Sequence, residues 1–178
     1  MKLHLGCGEK YIEGFIHVDL LEFDHIDYKT SIDKLYFAAD DSVDLIYASH
    51  LLEHVGRHEF KNVLAEWYRA LKPYGVLRIA VPDFEALVSH YRINHNLQEV
   101  LGLLIGGQKD KYDYHKMIFD EDFLKEALID VGFKSVYKYD WRGTEHKDLD
   151  DFSQAYLPHM DKEKGMLMSL NMEAVKWI

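Results

Sequence analysis

Two glycines bracket the only cysteine of the chain, Gly6-Cys7-Gly8, directly after the short strand-like segment Lys2–Leu5. Such a turn lets the backbone bend sharply and approach a ligand within contact distance. A dinucleotide fingerprint needs a third glycine three positions further on, where this chain has Tyr11, and no Gly-Lys-Ser/Thr follows to make a phosphate loop. Asp19 closes the next apolar segment, Phe15-Ile16-His17-Val18. A carboxylate there can accept both ribose hydroxyls of an adenosine-containing ligand, and it serves equally as a solvated strand end. His50, His54 and His58 recur at four-residue spacing, a zinc-ligand pattern on a helix. His50 falls where a strand ends and no matching Cys or Glu pair accompanies the series, so the histidines are read as structural or cofactor-lining and no metal is expected. His115 follows Gly106-Gly107 and Tyr112-Asp113-Tyr114 in a region expected to fold over strand ends, where a near-neutral imidazole suits a general base. Tyr156 and His159 lie in a second loop able to meet it there, as acceptor contacts or as loop packing.

These residues need a scaffold, and the hydrophobic pattern supplies one. Lys2 to Leu5, Phe15 to Asp19, Val43 to Ala48 and Val76 to Val81 read as short strands, the last two buried on both faces. Phe60, Val63, Leu64, Trp67 and Leu71 recur at helical spacing between them, and Lys72-Pro73-Tyr74-Gly75 carries stop signals. Strand–helix–strand order implies an α/β fold, a mostly parallel sheet with right-handed crossovers and helices on both faces. One helix is expected over 84–105, and another from the N-cap Asp120 to Val131, closed by Gly132. Phe133 to Tyr139 reads as a strand, and 140–165 as an acidic loop. Leu167 to Trp177 reads as an antiparallel strand with Ser169, Asn171 and Glu173 on its wetter face.

The chain has 178 residues, the usual size of one domain, so 1–178 is read as a single unit with lid or acceptor loops at 106–116 and 140–165. With 48% hydrophobic and 29% charged residues, disorder is excluded as the overall class. No apolar run is long enough for a membrane span, no signal peptide is read at the N-terminus, and the lone cysteine fits a reduced, cytoplasmic compartment. A net charge of −10 with no basic stripe argues against nucleic acid as a partner.

Taken in order, Leu3-His4-Leu5-Gly6-Cys7-Gly8, Ile16-His17-Val18-Asp19 and Ser42-Val43-Asp44-Leu45-Ile46-Tyr47-Ala48-Ser49-His50-Leu51-Leu52-Glu53-His54 strongly resemble the class I S-adenosylmethionine-dependent methyltransferases. Glu66 to Asp83 extends the likeness into the helix and fifth strand of that fold, and weaker likeness runs through 119–133 and 169–176. The chain is similar to compact bacterial and phage-type members of the methyltransferase-11 group. The resemblance implies that Gly6, Cys7 and Gly8 wrap the methionine portion of S-adenosylmethionine. It implies further that Asp19 holds the ribose, that Ser31, Ile32 and Asp33 flank the adenine, and that Ser49 and His50 line the cofactor side of the fourth strand's end. Only Glu9 to Gly14 separate the glycine turn from the second strand, too few residues for the first helix of larger members.

The leading expectation is therefore methyl transfer to a small-molecule or saccharide acceptor, with His115 as base and Tyr156 and His159 on the acceptor side. The rivals are a non-catalytic S-adenosylmethionine-binding domain, serving as sensor or partner subunit, and a domain for other adenosine ligands.

Overall fold

Alternation along the strands decides what each face of the sheet must meet. The computed structural model describes residues 1–178. Its strands are β1 (Lys2–Leu5), β2 (Ile16–Asp19), β3 (Tyr28–Lys29), β4 (Val43–Ser49), β5 (Leu71–Pro82), β6 (Ser135–Lys138), β7 (Tyr156–Leu157), β8 (Met166–Leu167) and β9 (Ser169–Val175). Its helices are α1 (Phe60–Ala70), α2 (Phe84–Asn94), α3 (Leu97–Ile105) and α4 (Glu121–Val131). Seven strands form one sheet in the order β3-β2-β1-β4-β5-β9-β6; β7 and β8 form a separate hairpin. Strands β1 to β5 are parallel to one another, and β9 runs antiparallel between β5 and β6.

One face is apolar throughout. Leu3, Leu5, Ile46, Ala48, Leu77, Ile79, Leu170, Met172 and Ala174 join Phe60, Val63, Leu64 and Trp67 of α1 and Leu124 and Leu128 of α4 in one buried cluster. The α1 stripe is the one expected, since those residues share a face at 3.6 residues per turn. Asp120 caps α4 by accepting from the Phe123 amide at 2.8 Å, and Gly132, at φ +129°, ends it.

The other face is mostly polar, apart from a small apolar patch of Ile12, Phe15, Leu45 and Tyr47, and is covered differently. It presents His4, Tyr47, Arg78, Ser169, Asn171 and Glu173, met by residues 139–154 with two single-turn 3-10 helices, Trp141–Gly143 and Phe152–Gln154. Arg78 pairs with Glu173 and Glu145 at 2.7 Å each, and Asn171 donates to the Ser153 carbonyl at 2.8 Å. The expected wetter face of β9 is thus dry: Ser169 and Asn171 are buried, because the 140–165 segment folds onto them and satisfies their polar groups.

Two further expectations are refined. The helical pattern over 84–105 is interrupted at His95, which takes φ +51°, while Asn96 caps α3 by accepting from the Gln98 amide. Histidine is among the non-glycine residues enriched in this left-handed region. Helices α2 and α3 pack through Leu87 and Val100 onto Ala155 and Met168, beyond the sheet. No helix forms between β1 and β2, as the short spacing predicts.

Candidate cofactor and acceptor site

In this sheet the strand order reverses between β1 and β4, and ligands of open parallel sheets bind outside the carboxyl ends of strands at such a point. A cavity of about 240 Å³ opens there, lined by the glycine turn, Lys10, Ser49, His50 and the roof pair Asp151 and Phe152.

The turn is shaped by its glycines. Gly6 has φ +60°, and a Cβ on it would lie 2.4 Å from Leu51 Cδ1, so only glycine fits. Gly8 has φ +53°, and a Cβ there would meet nothing within 4 Å, because it would point into open space. The Gly8 amide donates to Asp19 Oδ2 and the Leu21 amide to Asp19 Oδ1, both at 2.8 Å. Asp19 therefore ties the end of β2 to the turn, with lone pairs of both carboxylate oxygens left over. Cys7 is buried, and burial, followed by the nearby Asp19 charge, pushes its thiol up to about 12. It stays a thiol at neutral pH and is no nucleophile.

At the end of β4 the backbone is strained: His50 adopts φ +49°, which a non-glycine residue keeps only when its surroundings impose it. Its amide donates to the Ala80 carbonyl at 2.8 Å, and its Nε2 lies 3.1 Å from Ser169 Oγ. Phe152 stands over the ring, centroids 5.3 Å apart. The neighbouring Ser49 hydroxyl is buried without a hydrogen-bond partner.

Behind His50 lies a buried group that the linear pattern hides. The next single-turn helix, Leu52–His54, carries Glu53, whose side chain is wholly buried. His50 Nδ1 is 3.5 Å and His115 Nε2 4.0 Å from Glu53 Oε1, and neither carboxylate oxygen has a hydrogen-bond partner. Burial pushes the Glu53 carboxyl up to about 8 and lowers His50 to about 3, with His115 and His54 adding to the latter shift. His54 and His115 meet edge to face at 4.8 Å.

His115 reaches this place because Gly106 and Gly107 leave room. A Cβ on Gly106 would lie 2.3 Å from the Asp113 carbonyl oxygen, and one on Gly107 2.6 Å from Asp113 Oδ2. The Lys116 and Met117 amides donate to the Glu53 carbonyl, clamping the 106–116 loop onto the end of β4.

The fold thus brings together Gly6, Cys7, Gly8, Ser49 and His50 around the cavity, with Asp19 fastened to the turn. Ser31, Ile32 and Asp33 lie beyond β3 and outside the enclosed part of the cavity; the Ile32 carbonyl accepts from Trp67 Nε1 at 3.0 Å. His115 does not line the cavity but stands behind His50. The Tyr156 hydroxyl is taken by Arg142 Nη2 and Trp141 Nε1 at 3.2 and 3.4 Å, and His159 is exposed. His58 is exposed beside Arg57, apart from His50 and His54. Sequence reading missed Lys10, Phe152 and Glu53. For Glu53 a signal existed: it stands at i+3 from His50 and beside His54, inside an otherwise apolar turn.

Residues 13–79 match the family model of a methyltransferase domain. No curated protein matches the sequence. Among solved structures, an S-adenosylmethionine-dependent methyltransferase of Methanosarcina mazei superposes with a TM-score of 0.61 at 16% identity, over 99% of this chain and 92% of the other. One from Archaeoglobus fulgidus gives 0.58 at 18% identity, over 98% and 85%. The 1,6-didemethyltoxoflavin-N1-methyltransferase of Burkholderia thailandensis, bound to its small-molecule acceptor and S-adenosylhomocysteine, gives 0.57 at 15%, over 99% and 71%.

Proposed function

We propose that this chain, a class I S-adenosylmethionine-dependent methyltransferase by its domain match and fold, methylates a small-molecule or saccharide acceptor beneath a roof drawn from the 140–165 segment. The observation that carries the reading is the cavity at the switch point, floored by the Gly6–Gly8 turn and roofed by Asp151 and Phe152.

The residues fit the cosubstrate. The open space in front of Gly8 admits a ligand backbone, Lys10 is the cation for an amino-acid carboxylate, and the unpartnered Ser49 hydroxyl awaits a polar group. Asp19 retains lone pairs for ribose hydroxyls, and Ser31, Ile32 and Asp33 are assigned to the adenine side. Bound S-adenosylmethionine supplies a methyl group on a sulfonium centre, ready for in-line displacement. The protein's part is alignment and exclusion of water, for which a roofed cavity is suited. His50, uncharged at neutral pH and lining the cavity, is the imidazole nearest the reacting space, while His115 stands behind it, 4.0 Å from Glu53 Oε1. The small-molecule acceptor of the Burkholderia enzyme supports an acceptor of that class here, as does the −10 net charge against nucleic acid.

Calorimetry with S-adenosylhomocysteine, followed by a panel of phenols, amines and sugars assayed for S-adenosylhomocysteine release, tests the reading. Binding together with acceptor-dependent release is expected. Binding without release from any acceptor favours the non-catalytic domain; displacement by ATP or NAD in preference to S-adenosylmethionine overturns the cofactor assignment.

A further inference from the structure

The polar groups around Glu53 do not balance as protons alone. Asn171 Nδ2 donates to the Ser153 carbonyl at 2.8 Å, which leaves Asn171 Oδ1 to accept the Ser169 hydroxyl proton at 2.9 Å. The Ser169 oxygen then accepts from His50 Nε2 at 3.1 Å, so His50 Nδ1 carries a lone pair and faces Glu53 Oε1 at 3.5 Å. A carbonyl can only accept, so His54 donates from Nδ1 to the Tyr114 carbonyl at 3.2 Å, and His115 donates from Nδ1 to the Leu103 carbonyl at 3.0 Å. Both therefore present bare Nε2 atoms. This is the arrangement in which metal-binding histidines are held, one nitrogen fixed by a backbone carbonyl and the other free to ligate.

Two imidazole lone pairs, of His54 and His115, and a fully buried carboxylate thus share one space, and His50 Nδ1 faces the same carboxylate oxygen. No lysine, arginine or other hydrogen-bond donor reaches the carboxylate oxygens. A proton on Glu53 would satisfy one of those lone pairs; a doubly charged ion satisfies them all. One ligand atom from each of Glu53, His54 and His115 lies within 4.8 Å of the others. Tetrahedral ligands on bonds of about 2.1 Å stand about 3.4 Å apart, so small side-chain rotations close the set. The 3.5 Å between His50 Nδ1 and Glu53 Oε1 already has that spacing.

We propose that Glu53, His54 and His115 bind one divalent first-row transition-metal ion beside the cavity, with His50 against the Glu53 carboxylate. A set of imidazoles with one carboxylate suits zinc and its neighbours and disfavours magnesium or calcium, which prefer all-oxygen shells. The two glycines that admit His115 and the clamp of 116–117 onto the Glu53 carbonyl then hold the ligands of one site. His50 joins it to the cavity, since it faces both.

The full chain, stripped with chelator and dialysed, is titrated with zinc and with cobalt, metal content is measured after gel filtration, and the cobalt ligand-field absorption is recorded. One equivalent of bound ion with a low-coordinate cobalt spectrum is expected, and magnesium should not compete. Glu53→Gln and His115→Ala should each weaken zinc binding at least ~10-fold, as loss of a ligand exceeds loss of a supporting contact. His58→Ala, an exposed histidine outside the set, should bind zinc as the unaltered chain does. The unaltered chain alone is decisive where a variant fails to fold. Absence of stoichiometric zinc or cobalt overturns the proposal, as does binding that survives both substitutions or is lost with His58→Ala. Metal content is read without cosubstrate or acceptor, so this result stands apart from the methyl-transfer reading.

Discussion

The two faces of the sheet are finished by opposite means. On one, α1 and α4 lay apolar stripes against Ile46, Leu77 and Met172, and almost nothing polar is buried. On the other, irregular chain from 139 to 154 meets Tyr47, Arg78, Ser169 and Asn171 through specific hydrogen bonds and ion pairs. The histidines and Glu53 gather at the end of this sheet, next to the polar face. Helices provide a generic cover that needs only the right area. A loop cover must satisfy each group it buries, so it can also leave chosen groups, such as Ser49 and Glu53, without a protein partner. The apolar face sets stability, while the polar face and the strand ends set chemistry.

The comparison breaks most readily at Trp67. It is fully buried in the apolar cluster and donates to the Ile32 carbonyl at 3.0 Å. Trp67→Ala should cost ~3–5 kcal/mol in a denaturant titration, with cofactor binding falling only as the folded fraction falls. Gly8→Asp should do the reverse. The position is open, but at φ +53° a side chain is strained, by about 1–2 kcal/mol, so the denaturation midpoint should fall less than for Trp67→Ala. S-adenosylhomocysteine affinity measured by calorimetry should drop at least ~100-fold, or about 2.7 kcal/mol. Unchanged affinity would move the site away from the turn.

Asp19→Ala lies between these. It removes a carboxylate that accepts from Gly8 and Leu21, so the turn loosens and, on the proposed reading, a ribose partner is lost. An affinity loss of ~1.5–3 kcal/mol, roughly 10- to 150-fold, is expected from the same calorimetry. The smallest effect is a slope. His4, buried on the polar face against Tyr47, has its pKa lowered to about 3, chiefly by burial and then by His17. Above pH ~6.5 neither state binds its proton; below that, the unfolded chain gains a proton that the folded one refuses. Stability should therefore fall as pH drops from about 6.5 toward 3. His4→Phe, which keeps the ring contact, should flatten that fall in thermal melts across the range, leaving the part due to His17, His50, His54, His115 and His146.

Regions where short-range pattern governs structure were legible in advance. The strands, the α1 stripe, the Asp120 cap and the glycine turn each depend on residues within one turn or one strand, and hydrophobic period and turn chemistry report those directly. The 140–165 segment carries no such period, because its folding is dictated by partners far along the chain: Ser153 with Asn171, Asp151 with Tyr47, Glu145 with Arg78. The same distance separates the two readings of the histidines. Linear spacing aligned His50 with His54 and His58, and the strand end expected at His50 already argued against one helix carrying all three. The strand's end at Ser49 breaks that series, turns His58 outward and leaves Glu53 buried between its neighbours.

What the amino-acid sequence determined by itself was the sheet, the glycine turn after β1 and the strand-end acid Asp19. These are local necessities of backbone geometry and of burying apolar faces. Only the tertiary structure decided which polar groups meet. It brought His115 across 61 positions of chain to His54, placed Phe152 over His50, and sealed Glu53 from water with no donor at its oxygens. The physical reason is that apolar burial is non-directional and tolerates many partners, whereas a buried polar group is satisfied only by specific atoms at hydrogen-bond distance. Packing of distant segments alone brings those atoms there.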